Sequence, residues 1–134
     1  MTTYLQSFGL LFSRLVVAYG FYKPAMQKWM NIQNVSSWFD TIGIPFPTLS
    51  VYIVASIEAL GVILLVLGLL TRLVSIPLII IMFVAIITVH YTNGFGAGDN
   101  GFEIPLYYMI FLIIFLSYGA GKFSLDNLLF SKKD

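Results

Sequence analysis

Two ionisable residues sit deep inside largely apolar stretches: Arg14 within residues 4–29, which also carry Lys23 and Lys28 near their end, and Glu58 within residues 48–70. A lone charge at the centre of a bilayer costs about 2.5–3.5 kcal/mol on insertion scales, so such a residue pairs or lines a polar cavity. Each lies about ten residues, or about 15 Å at the helical rise, from the start of its stretch, and the two stretches start on opposite sides of the membrane. Two antiparallel helices would bring them level, and the spacing predicts an Arg14–Glu58 pair. Two readings stay open: an ion pair that locks two helices together, and a proton or substrate site.

A second group gathers where these stretches end. Lys28, His90 and Glu103 each stand near a helix end on the same side of the chain's turns. His90 titrates near neutrality and is a candidate for proton exchange in an outward-facing polar pocket; the plainer reading is an interfacial histidine capping its helix. One histidine with no spaced partner is a weak metal signal, and no metal site is expected. Tyr107 and Tyr108, with Tyr91 and Tyr118, suit stacking against an aromatic or quinone-like ring, and equally suit an interfacial aromatic belt. No nucleophile–base arrangement and no dinucleotide fingerprint is present.

The elements that must position these residues follow from composition. The chain has 134 residues, 59% hydrophobic, 16% aromatic and 10% charged, with mean hydropathy +0.92. Soluble domains carry roughly 25% charged residues, so lipid is the expected solvent. Cysteine is absent, which excludes disulfides and thiolate chemistry within the chain. A net charge of +1 offers no field for nucleic acid. Between Arg72 and Asp99 lie 26 uncharged residues, and between Glu103 and Lys122 another 18. A helix of about 20 apolar residues crosses a bilayer.

The fold expected is all-α: an integral membrane bundle of four antiparallel helices forming a single domain over 1–134, with spans near 4–29, 48–70, 73–92 and 104–121. The first stretch lacks a basic leader and a cleavage site, so it reads as a retained helix. Thr71-Arg72 forces a hairpin; residues 30–47, with Trp29 and Trp38, read as an interfacial helix or loop; residues 93–101, rich in glycine, read as a flexible loop. Arg72, Lys122, Lys132 and Lys133 share one side, which the positive-inside rule assigns to the cytoplasm. Both termini are therefore expected inside, in the cytoplasmic (inner) membrane.

Helical spacing groups Arg14, Ala18, Phe21, Ala25 and Lys28 on one face, and Glu58, Gly61, Leu65 and Gly68 on another. Small residues on both faces permit close packing. The same spacing aligns Ile79, Phe83, Ile86 and His90, and then Glu103, Tyr107, Ile110, Ile114 and Ser117.

The order of these residues resembles the DoxX family of small four-helix membrane proteins. The resemblance runs from Leu11 to Leu128 through Arg14, Gly20 and Lys28; Gly43-Ile44-Pro45; Glu58 and Gly61; Gly68-Leu69-Leu70-Thr71-Arg72; Met82 and His90; Glu103; and Gly119-Ala120-Gly121-Lys122-Phe123-Ser124-Leu125-Asp126. Pro24-Ala25 departs from the His-Gly or similar pair expected before Lys28. The resemblance implies a membrane subunit of a quinone-linked redox complex, similar to the small subunit of a thiosulfate:quinone oxidoreductase. It carries over Arg14, Lys28, Glu58, His90 and Glu103 as an outward-opening polar site. No cofactor motif is intrinsic to the chain; a quinone would be the ligand and a partner protein would deliver electrons. The other class of function is a non-enzymatic binder of lipid or small molecules, or a structural partner, and homo-oligomerisation stays open.

Overall fold

The computed structural model describes residues 2–130. Its regular elements are α1 (Thr2–Met30), α2 (Ile32–Thr41), α3 (Pro47–Leu67), α4 (Thr71–Ala85), α5 (Glu103–Tyr118) and α6 (Leu125–Phe130), and no strand occurs among the described residues. A π-helical turn, Ile86–His90, and a short turn, Tyr91–Asn93, prolong α4. The four long helices lie within a few residues of the expected stretches. The segment between the first two is a helix, α2, which packs on α3.

Helix ends follow local chemistry. Pro47 opens α3, where its missing N–H is harmless. Gly68, with φ 69°, closes it in the left-handed region. Two residues later Leu70 also has positive φ, 51°, which is costly for a residue with a Cβ. The Asp126 carboxylate holds it there, accepting from Leu70 N–H at 2.6 Å and Thr71 N–H at 3.0 Å. This carboxylate caps α4 from 55 residues further along the chain.

α1 lies along α3 and α4 along α5. The core joins Val17, Ala18, Phe21, Leu65, Val74, Leu78, Leu112 and Phe115. The expected inner faces of α1 and α3 are the buried ones: Arg14, Ala18, Phe21 and Ala25 on α1 and Glu58, Gly61 and Leu65 on α3, with Gly61 turned to Leu78 of α4. α5 is turned otherwise. Tyr107, Ile110 and Ser117 point outward, and Tyr108, Leu112 and Phe115 point in. α4 likewise buries Val74, Ser75, Leu78 and Ile86 and exposes Phe83. A helix that is apolar all round gives its inner face no mark in hydrophobicity.

The exterior is apolar while the interior holds charge. Phe8, Phe12, Tyr19, Leu60, Ile63, Leu73 and Ile80 are exposed, whereas Arg14 is 0% and Glu58 2% exposed. That is the inverse of a water-soluble bundle. Pro47–Leu67 and Thr71–Asn93 are long and apolar enough to cross a membrane.

Candidate functional site

The geometry replaces the expected Arg14–Glu58 pair with two separate arrangements. The Arg14 guanidinium donates to Leu65 O at 2.7 Å, Val66 O at 3.4 Å and Phe123 O at 2.6 Å. It thus satisfies carbonyls at the C-terminal end of α3, which have no partner within the helix. It also ties the segment after α5 to the bundle. Glu58 instead meets Lys28, with Nζ 2.8 Å from Oε1. This is the only ion pair among the described residues.

The reason lies in the length of α1. It runs 29 residues, so Lys28 remains helical and reaches the level of Glu58, as Trp29 reaches Ala55 through an N–H···O bond of 3.3 Å. Arg14 falls level with Leu65, seven residues beyond Glu58 on α3, about 10 Å along the axis at the helical rise.

The Lys28–Glu58 pair forms part of the wall of a cavity of about 620 Å³ bounded by α1–α5. Most of its lining is aliphatic or aromatic: Phe21, Phe39, Ile53, Ile57, Ile80 and Val84 among others. Tyr108 enters from α5, its ring 5.4 Å from Phe21 and its hydroxyl seated where a side chain at residue 20 would stand. Gly20 is what admits it. His90, Ser50 and Thr88 also line the cavity. Ser50 and Thr88 hydroxyls bond Pro45 O and Val84 O, and His90 Nδ1 lies 2.9 Å from Asn100 O. Lys28, Glu58 and the Tyr108 hydroxyl are left as the inner polar groups.

Of the expected site residues, the structure brings together Lys28, Glu58 and His90, with Tyr108. Arg14, Glu103 and Tyr107 stand apart from this cavity. Glu103 serves the loop before α5: Oε1 accepts Ala97 N–H at 3.0 Å and Oε2 accepts the Tyr107 hydroxyl at 2.9 Å. It makes no ion pair with His90. The loop expected to be flexible is closed by backbone bonds, Gly101 N–H to Gly96 O at 2.9 Å and Phe102 N–H to Gly94 O at 3.0 Å. Phe95 and Phe102 pack edge to face across it. No cluster of three or more metal-ligating side chains forms among the described residues.

Residues missed by sequence reasoning include Trp38, Phe39 and Pro77 in the cavity wall. Pro77 had a readable signal, since a proline inside a span frees a carbonyl and opens the helix. Trp38 and Phe39 had only the period of α2.

The family model described as DoxX matches residues 9–91. This chain belongs to the DoxX family. With its apolar exterior and long apolar helices, the DoxX chain is a membrane protein. It is 34% identical to an uncharacterized protein of Haemophilus influenzae over 129 residues, 90% of this chain and 83% of that protein. It is 29% identical over 126 residues to a Bacillus subtilis protein named "Putative oxidoreductase CatD", covering 93% of this chain and 90% of the relative. An uncharacterized membrane protein of Mycobacterium tuberculosis is 31% identical over 125 residues, 85% of this chain and 77% of its own. No solved structure matches.

Proposed function

We propose that this DoxX protein is a multi-pass subunit of a quinone-linked redox complex in the cytoplasmic membrane. All four long helices cross, both termini are cytoplasmic, and the cavity opens toward the outer face. The single observation that carries the redox reading is the Lys28–Glu58 pair set into an otherwise apolar wall. The oxidoreductase name of the Bacillus subtilis relative agrees with it.

The residues present suit a quinone-like head. A cavity of about 620 Å³ exceeds what one ring needs and leaves space for the start of a tail. Such a ligand supplies reversible two-electron, two-proton chemistry, with electrons delivered by a partner protein. Lys28 donates a hydrogen bond toward a carbonyl oxygen and stabilises negative charge there. Glu58 holds the ammonium in place and is the nearest group able to accept a proton from it. The Tyr108 hydroxyl offers a second donor across the cavity. Phe21 and Phe39 exclude water and flank the ring.

Trp38 lies in the cavity wall, so its fluorescence reports occupancy. Titration of the detergent-solubilised protein with a short-tailed benzoquinone should quench it saturably. The double variant Lys28→Met/Glu58→Gln removes both charges without stranding either. A hydrogen bond to a charged group is worth about 1.5–3 kcal/mol, so affinity should fall at least about tenfold. Equal affinity in the double variant, or no saturable quenching in the parent, overturns the reading.

A further inference from the structure

At the end of the bundle away from that cavity, the segment Gly119-Ala120-Gly121-Lys122 follows α5, with Gly119 beside Arg72 of α4 and Gly121 against Ser7 and Leu10 of α1. It forms a cleft with Arg72, Leu73 and Tyr118. Nothing in the quinone reading uses it.

Arg72 is exposed and has no ion-pair or hydrogen-bond partner among the described residues, although it lies against Gly119. Lys122 rests over the Tyr4 ring, 4.9 Å from its centre, which leaves its charge unneutralised. The amides of Ala120 and Gly121 find no protein acceptor among the described residues, although Ala120 is buried. Gly119 and Gly121 both take positive φ, 77° and 85°, so the turn between them is one that side chains would resist. The one acid in the cleft, Asp126, has both oxygens committed to the N-terminus of α4. Two residues with unneutralised cations and two with unused N–H donors therefore line one cleft. Leu73 and Tyr118, each largely exposed, continue it along the apolar flank of the bundle.

We propose that this cleft binds the phosphate of an anionic phospholipid, with Arg72 and Lys122 as its charge partners and the amides of Ala120 and Gly121 as further donors. The acyl chains would lie on Leu73 and Tyr118. A phosphodiester at the membrane edge matches this mixture of cationic rim and apolar flank; a free phosphate would use the rim alone. The site rests on the chain's membrane placement and is independent of the redox reading.

Native mass spectrometry of the full chain, released from detergent containing either dioleoyl phosphatidylglycerol or dioleoyl phosphatidylcholine, tests it. Preferential retention of one phosphatidylglycerol is expected. Each basic residue at an anionic lipid surface contributes about fivefold. Arg72→Gln and Lys122→Gln should each reduce retention by about that factor, and the double variant by about 25-fold. Both side chains are exposed, and an unchanged melting temperature would show that the variants fold. Equal retention of the two lipids overturns the proposal, as does undiminished phosphatidylglycerol binding in the double variant. Displacement of the lipid by millimolar inorganic phosphate would assign the site to free phosphate and overturn the lipid assignment.

Discussion

The two buried charges should behave differently in double-mutant cycles. Glu58 is 2% exposed and its Oε1 has only the Lys28 ammonium, 2.8 Å away, as a partner. Lys28→Met alone strands a buried carboxylate, and Glu58→Gln alone strands an ammonium whose side chain is 17% exposed. Breaking a buried pair from one side costs about 3–5 kcal/mol, while removing both partners is often near neutral. With Lys28 partly exposed, the lower end applies, and a coupling of about 2–3 kcal/mol is expected. Arg14→Met is a separate loss. It removes two short charge-assisted bonds, each worth about 1.5–3 kcal/mol, and strands Leu65 O and Phe123 O. Desolvation of the guanidinium offsets part of this, so about 3–4 kcal/mol remains. Its effect should add to that of Glu58→Gln within about 0.5 kcal/mol, since the groups share no partner. Urea-induced unfolding in mixed micelles, followed by tryptophan fluorescence, measures the three single and two double variants. Coupling between Arg14 and Glu58 above 1 kcal/mol, or additivity between Lys28 and Glu58, would refute the arrangement described here.

Gly20→Ala places a methyl where the Tyr108 hydroxyl sits, so Tyr108 must leave its position against Phe21. A loss of about 1–3 kcal/mol is expected, and because ring carbons as well as the hydroxyl meet the methyl, Tyr108→Leu in the same chain should restore more of it than Tyr108→Phe. Asp126→Ala removes the cap on α4 and releases Leu70 from its left-handed conformation. Thermal unfolding should show a loss of about 1–2 kcal/mol. Faster amide exchange at Leu70 and Thr71 would localise it; unchanged exchange there would count against the cap.

Much of the scaffold was legible because its constraints are local. Uncharged runs located the apolar helices, and the small residues Ala18 and Ala25 marked the buried face of α1, as Gly61 marked that of α3. Lys28 was misplaced because charge alone does not end a helix. Read as an edge residue, it left Glu58 with Arg14 as its expected partner; the full length of α1 supplies a nearer one. The inner face of α5 was illegible for another reason. Tyr107 and Tyr108 have the same chemistry, and only packing against Phe21 and Gly20 distinguishes them. Long-range ties such as Asp126 to Leu70 leave no periodic trace at all.

Where each buried charge finds its counterpart decides which can take part in chemistry. Arg14 is answered by backbone carbonyls, whose positions are set by α3 and by the segment after α5. Its guanidinium remains charged under all ordinary conditions and gives up no proton. Arg14 therefore acts as a fastener, joining the first helix to the end of the third and to the chain's closing segment. Lys28 and Glu58 answer each other, and both border a cavity. A side chain can exchange its partner for a ligand only where a ligand can reach it, and that holds for this pair but not for Arg14. Glu103 lies outside that cavity, with its oxygens accepting from the loop and from Tyr107. The chemistry proposed for this protein thus rests on Lys28 and Glu58, with Tyr108 opposite them and His90 at the cavity's rim.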